Sequence, residues 1–278
     1  MVSAPRSHAV LRHLPAACIA VGGCLPLILM VAGSLQHPGE PPSRVVDIVP
    51  SHPSIEGYRR AFELVDLGRY FINSLVVVAI AVPLSVVCAS WAGFALSQLP
   101  RRPARLVLGL CVLILVLPPA ALVVGRFALY RRLGILDTYV PLVAPSLYGT
   151  SVLYVLLYAW SFRRLPSAYL DVGRLAGLGP FQLWRSIAFP LVRPMTVAVA
   201  TLAFVTTWSN FLDPLVYLQD PALYTLPLGL RVLKLVGQQD VPVQLAASVV
   251  TTLPVVGAFL SAQRFFLGTV RGRGWIAG

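Results

Sequence analysis

Six stretches of about twenty residues, each nearly free of charge, decide what this chain can fold into. They cover residues 16–35, 71–96, 106–124, 140–162, 192–211 and 245–266. A bilayer core about 30 Å thick takes about 20 apolar helical residues to cross, because in lipid only a helix or a closed barrel satisfies its own backbone. The ten-residue alternation of a membrane barrel is absent. Only 12% of the 278 residues are charged and mean hydropathy is +0.79, whereas soluble domains carry about a quarter charged residues. The reading is an all-α integral membrane protein of six transmembrane helices, one transmembrane domain over residues 1–278. The first stretch is too long for the apolar part of a signal peptide and no small-residue cleavage site follows, so it reads as a retained anchor.

Orientation follows from the arginines, since short loops rich in Arg and Lys stay cytoplasmic. With the N-terminus inside, thirteen basic residues face the cytoplasm, among them Arg6, Arg101, Arg163, Arg174, Arg185 and Arg273, beside the single acid Asp171. The other side holds nine basic and nine acidic residues, so the whole formal charge of +12 lies on one face. That imbalance is the signature of topology and calls for no nucleic acid. Both termini are expected inside, in a multi-pass protein of a bacterial cytoplasmic membrane.

Catalytic chemistry is hard to find. The four histidines, His8, His13, His37 and His52, lie in the first fifth of the chain, and Cys18, Cys24, Cys88 and Cys111 fall inside spans without metal-ligand spacing. No span has a central charge, which weakens a proton-coupled carrier or a membrane enzyme. The polar residues best placed near the bundle are Asn73, Ser85, Ser151, Thr206, Thr207 and Asn210, expected first as hydrogen-bonding contacts between helices. Asn73, Thr207, Asn210 and Phe211 are the candidates for a translocation path. Trp208 and Phe211 read as an interfacial aromatic anchor. Pro26, Pro83, Pro118, Pro119 and Pro254 are expected to kink their helices.

The informative chemistry lies between the fourth and fifth spans, in RLPSAYLDVGRLAGLGPFQLWRSIAFP, residues 164–190. Pro166 suits a helix start, and Ser167–Leu175 presents Tyr169, Leu170, Val172 and Leu175. Gly177 and Gly179 break that helix, with Gly177 placed for a positive φ. Pro180 opens a second turn, Phe181, Trp184 and Ile187 recur at spacing three, and Pro190 ends the run. A connecting loop would be short and polar. This hairpin is expected to offer its apolar and aromatic residues to another protein's groove.

The hairpin resembles the cytoplasmic signature of ABC importer permeases, E-A-A-x3-G-x9-I-x-L-P. Here Asp171, Val172 and Gly173 are followed after three residues by Gly177 and after nine more by Ile187, Ala188, Phe189 and Pro190. The departures are Asp for Glu, Val-Gly for Ala-Ala, Ala176 for an acid and Phe189 for Leu. Other landmarks are similar to the maltose-type carbohydrate branch, in order. They are LPLILMVAGSLQ at 25–36, YRRAFELVDLGRYFINSL at 58–75, YRRLGILDTYVPLVAPSL at 130–147, FVTTWSNFLDPLVYL at 204–218 and LPVVGAFLSAQRFFLGTVRG at 253–272.

The resemblance implies a sugar-importer permease subunit working by alternating access, with Leu170, Asp171, Val172, Gly173, Arg174, Gly177, Phe181, Trp184, Ile187 and Pro190 as its coupling helix. The partners implied are a second homologous permease, two ATP-binding subunits and an extracytoplasmic solute-binding protein, all around membrane lipid. The chain lacks a Gly-x4-Gly-Lys-Ser/Thr loop, so it is no enzyme by itself and binds no cofactor, with ATP and Mg held by the partner subunits. The segment 36–69 could touch the binding protein or cover the bundle. The rival reading is a stand-alone secondary carrier, which often shows inverted repeats that are not evident here.

Overall fold

The computed structural model describes residues 7–39, 52–148, 151–237 and 240–271. Arg6 and Arg273 of the charge count, and most of the stretch between Gln36 and His52, lie outside the described residues. Every regular element among the described residues is helical. The helices are α1 (Ser7–Ser34), α2 (Glu56–Leu64), α3 (Leu67–Gln98), α4 (Arg101–Val116), α5 (Val123–Arg132), α6 (Val152–Arg163), α7 (Ser167–Leu175), α8 (Pro180–Leu191), α9 (Arg193–Trp208), α10 (Leu212–Tyr217), α11 (Leu226–Val236) and α12 (Val241–Arg271).

Proline placement decides which apolar stretches stay continuous. Among the described residues three helical stretches are long and apolar enough to cross a membrane, Leu67–Gln98, Val140–Arg163 and Val241–Gln263. Two further pairs pass only when each is taken as one bent span, which brings the number to five where the sequence suggests six. The first is Arg101–Val116 with Ala120–Arg132, bent by 86°. Leu117 and Pro118 leave the helix at ψ 125° and 126° because a residue before proline is driven out of the α region. The second is Pro180–Leu191 with Arg193–Trp208, bent by 87°. Val192 turns the chain at φ −100° and ψ 24°, and Pro194 cannot donate back across the corner. α1 has 28 helical residues, but its described apolar part, Val21–Ser34, is short for a span.

The fourth stretch is also less regular than expected. A turn at Val140–Val143 and a tighter one at Ala144–Tyr148 precede α6. Ser151 then caps α6 by accepting from the Leu153 N–H at 3.2 Å. By contrast α3 runs on through Pro83 and α12 through Pro254.

The chain divides into two compact units. In the first, residues 1–68 with 229–253, the Ser34 hydroxyl donates to Val31 O and lies 2.8 Å from the Tyr58 hydroxyl. A Cβ on Gly57 would approach the Pro242 and Ser34 carbonyl oxygens to 3.2 and 3.4 Å, so α2 is held by backbone proximity. Arg60 reaches Asp240 at 3.7 Å.

The second unit, residues 69–228 with 254–278, holds two apolar clusters. One surrounds Tyr154, Tyr158, Phe162, Trp184 and Val199; the other surrounds Val77, Tyr130, Leu142, Tyr217 and Leu218. In α3 the small residues Ala81, Ser85, Ala89 and Gly93 recur every four positions and are all buried. Small residues let membrane helices pack closely where lipid leaves no hydrophobic drive between them. At Gly93 a Cβ would come within 2.6 Å of Tyr158 Cβ and 2.9 Å of the Ala159 nitrogen and the Val155 oxygen.

α5 closes through a Schellman turn, with Gly134 at φ +67°, its N–H donating to Arg131 O and the Ile135 N–H to Tyr130 O. Asp137 follows at φ +59°, a left-handed geometry that Asp tolerates better than most residues. Its Oδ1 accepts the N–H groups of Gln219 and Asp220, each at 2.9 Å, while its own N–H donates to Tyr217 O. The Asp220 and Gln219 amides hold the Asp137 carboxyl below its usual range. Depression of a carboxyl pKa adds stability above the unfolded value, lost as pH falls through the folded one. Exchange protection at the Gln219 and Asp220 amides is therefore expected to persist at neutral pH and through the ordinary Asp range, and to be lost only as pH falls below that range, through the depressed carboxyl pKa. Asp137→Ala should abolish it at any pH and Asp137→Asn only weaken it, which amide exchange followed by mass spectrometry would report.

Candidate functional site

α7 starts after Pro166 and carries the signature residues Leu170, Asp171, Val172, Gly173 and Arg174. Its end is a full Schellman motif: Gly177 sits at φ +79°, its N–H donates to Arg174 O, and the Leu178 N–H donates to Gly173 O, both at 3.0 Å. A Cβ on Gly177 would meet nothing within 4 Å, so this glycine is required for backbone conformation and not for space. Gly173 is the converse. A Cβ there would lie 2.5 and 2.7 Å from the tips of Leu183 and Ile187, so α7 and α8 approach closely where it has no side chain.

α8 begins at Pro180, with the Gln182 side-chain oxygen accepting from the Gly179 N–H at 3.1 Å, one half of a capping box. Trp184–Ala188 then widen into a π turn in which the Phe189 N–H reaches Trp184 O, and Pro190 has no N–H to restore α register. Pro190 does not end the run, as its position suggested; helix continues to Leu191 and the corner falls at Val192.

The faces of the hairpin divide differently from expectation. Leu170 and Trp184 are each only 7% exposed and belong to the unit's own apolar cluster, with Ile187 half-buried beside them. Local spacing gives two apolar faces and cannot say which meets the chain itself. The outward set is Tyr169, Val172 and Leu175, with 53%, 65% and 89% exposure, and Phe181, 54% exposed, lies at the border between the two faces. Asp171 and Arg174 flank the outward set, paired at 2.8 Å but half-exposed, an arrangement worth little by itself.

The inward set fixes the hairpin to α3, which in turn packs on α6. Trp91 meets Trp184 edge-on at 5.2 Å and Phe181 at 5.6 Å, and Phe94 meets Phe162 at 5.5 Å. Each such pair contributes about 0.5–1.5 kcal/mol beyond its area. Arg174 donates to the Gln98 side-chain oxygen at 2.7 Å, and Arg163 to Leu96 O at 3.3 Å. Sequence reasoning missed Trp91, Phe94 and Gln98. Nothing in a helix 70 to 90 residues upstream marks it as the hairpin's seat.

The candidate path residues lie apart from the hairpin. Asn73 is buried and donates both amide hydrogens to backbone, to Ala222 O and Tyr224 O at 2.9 Å each. Its neighbour Ser74 accepts the Leu226 N–H at 2.8 Å. Thr207 and Asn210 line a small cleft with Ser74 and Thr225. Asn210 also accepts the Asp213 N–H and donates to Asp213 Oδ2 at 2.9 Å, while Arg126 approaches Asp213 Oδ1 at 3.4 Å. Phe211 is 37% exposed at the joint between α9 and α10. Trp208 is no interfacial anchor: at 2% exposure it stacks on Phe204 at 5.7 Å and meets Phe71 edge-on at 5.5 Å.

Long apolar helices carry a hairpin anchored on one face and exposed and apolar on the other, the build of a membrane component. The chain belongs to the family described as binding-protein-dependent transport system inner membrane component, which it matches over residues 67–267. It is 24% identical over 265 residues to the melibiose/raffinose/stachyose import permease protein MelC of Bacillus subtilis, covering 93% of this chain and 95% of that one. It is 29% identical over 246 residues to the trehalose transport system permease protein SugB of Mycobacterium tuberculosis, covering 86% and 88%. Its fold is similar to a chain in the crystal structure of a bacterial ABC transporter involved in import of the acidic polysaccharide alginate. That match has a TM-score of 0.76 and 18% identity, over 96% of this chain and 100% of the other. A multi-pass location in a cell membrane follows from the family and the apolar helices.

Proposed function

We propose that this chain is the permease subunit of an ATP-driven importer for a sugar or sugar-like solute, and that the hairpin α7–α8 is its coupling element. The observation that carries the reading is the split of the hairpin into a root packed on α3 and an exposed apolar face of Tyr169, Val172 and Leu175. The sugar-importing relatives support the solute class.

In this reading the hairpin and both termini are cytoplasmic, in keeping with the arginine distribution. Two ATP-binding subunits hold ATP and Mg and receive the hairpins of this chain and of a second, homologous permease. A solute-binding protein delivers the sugar on the far side. Closure of the ATPase pair moves the hairpins, and the helices attached to them turn the central path from one side to the other. Thr207, Asn210 and Phe211 border that path, while Asn73 holds the segment 222–224 that flanks it.

The test is co-purification of the ATPase subunits followed by ATP hydrolysis in vesicles. Gly177→Val forces a β-branched residue to φ +79° and costs roughly 1–2 kcal/mol of local conformation. It should lower ATPase yield about tenfold while membrane insertion stays normal. Asp171→Ala, which removes an exposed pair, should change the yield less than threefold. Full coupling in the Gly177→Val chain would remove the hairpin from the mechanism, and uptake without any ATPase would make the protein a stand-alone carrier.

A further inference from the structure

The 86° corner after Val116 sets α5 across the direction of α4. A helix set across its neighbour in this way has the geometry of one lying in the membrane interface. One side of α5 packs on α10: Tyr130 meets Tyr217 edge-on at 5.2 Å, and Arg126 is drawn to Asp213. The other side is exposed and apolar, with Val124 at 77% and Leu129 at 53% exposure, continued past the helix end by Leu133 at 60%. At the end of that side stand Arg131 and Arg132, both exposed and in no ion pair among the described residues. Together with Phe127 and Ala128 they line an open cleft.

An acidic protein surface would match the two guanidinium groups but leave Val124, Leu129 and Leu133 in water. A lipid matches both halves at once. Arginine presents a planar fork suited to two phosphate oxygens, and its aliphatic stem lies along apolar surface while the head reaches the boundary. We propose that α5 is an interfacial helix whose Arg131 and Arg132 hold the phosphate of an anionic phospholipid, with Leu129 and Leu133 resting on its acyl chains.

The experiment uses the full-length chain, purified in mild detergent with whatever subunits accompany it and equilibrated with equal amounts of phosphatidylglycerol and phosphatidylcholine. Native mass spectrometry then counts each retained lipid. The wild type should keep phosphatidylglycerol in preference to phosphatidylcholine. Arg131→Gln and Arg132→Gln should each lower that retention roughly fivefold, and Arg131→Lys with Arg132→Lys should lie between the wild type and the Gln chains, because the charge remains while the planar fork is lost. Because the readout is lipid, the outcome is independent of what the hairpin docks. Equal retention of the two lipids by the wild type, unchanged phosphatidylglycerol in the double Gln chain, or loss of a protein subunit instead of lipid from that chain would each overturn the proposal.

Discussion

A chain carrying Val172→Asp and Leu175→Asp is expected to insert, fold and import nothing. Both side chains are exposed, at 65% and 89%, and neither belongs to the unit's apolar clusters, so thermal unfolding should be unchanged within about 0.5 kcal/mol. In the assembled transporter the same positions would be desolvated against the ATPase. An apolar anchor lost from such a surface costs about 1–3 kcal/mol, and a carboxylate left there without a partner costs more. The pair should therefore weaken docking by roughly a hundredfold or more. Co-purified ATPase per permease, measured beside the melting curve of the permease, separates the two effects. Normal ATPase yield from this chain would sink the hairpin as the docking element.

Gly93→Leu should do the reverse and destroy the folded bundle before docking becomes relevant. The added Cβ alone would lie 2.6 to 2.9 Å from Tyr158 Cβ, the Ala159 nitrogen and the Val155 oxygen. Two of those atoms are backbone and cannot rotate away, so α3 and α6 would have to separate. Overpacking a tight core costs about 1–3 kcal/mol for modest intrusions; a leucine here exceeds that range, and even Gly93→Ala should be measurably destabilised. Membrane-inserted protein surviving detergent extraction as a single sharp species is the readout. A Gly93→Leu chain of wild-type yield and melting temperature would show that the two helices need not touch at this point.

The hairpin was the most legible part of the sequence, and its break was legible to the residue. Helix-forming residues before Gly177, Gly-Leu-Gly-Pro around it and proline after it leave few ways to end a helix, so its positive φ could be read directly. The facing of Leu170 and Trp184 was not readable, because their burial depends on Trp91 and Phe94, contributed by a helix elsewhere in the chain. Gly173 looked like a mere departure from the family signature; the nearness of Leu183 and Ile187 accounts for it. Hydropathy likewise located the apolar stretches but not their corners at Pro118 and Val192, since a window average ignores one residue outside the α region. Trp208, near a helix end, had the position of an anchor and the environment of a core residue.

The corner at Val192 sets a mechanical ratio. Pro180–Leu191 is twelve residues long, about 18 Å of helix, and stands at 87° to Arg193–Trp208. A rod of that length pivoting about its base converts each ångström of sideways travel at the tip into roughly 3° of rotation at the base. Trp91 braces the rod to α3 through Trp184, and Gln98 holds the preceding helix through Arg174. If the hairpin couples to the ATPase as proposed, a push of a few ångströms at its tip would be geared into a tilt of about ten degrees at the corner.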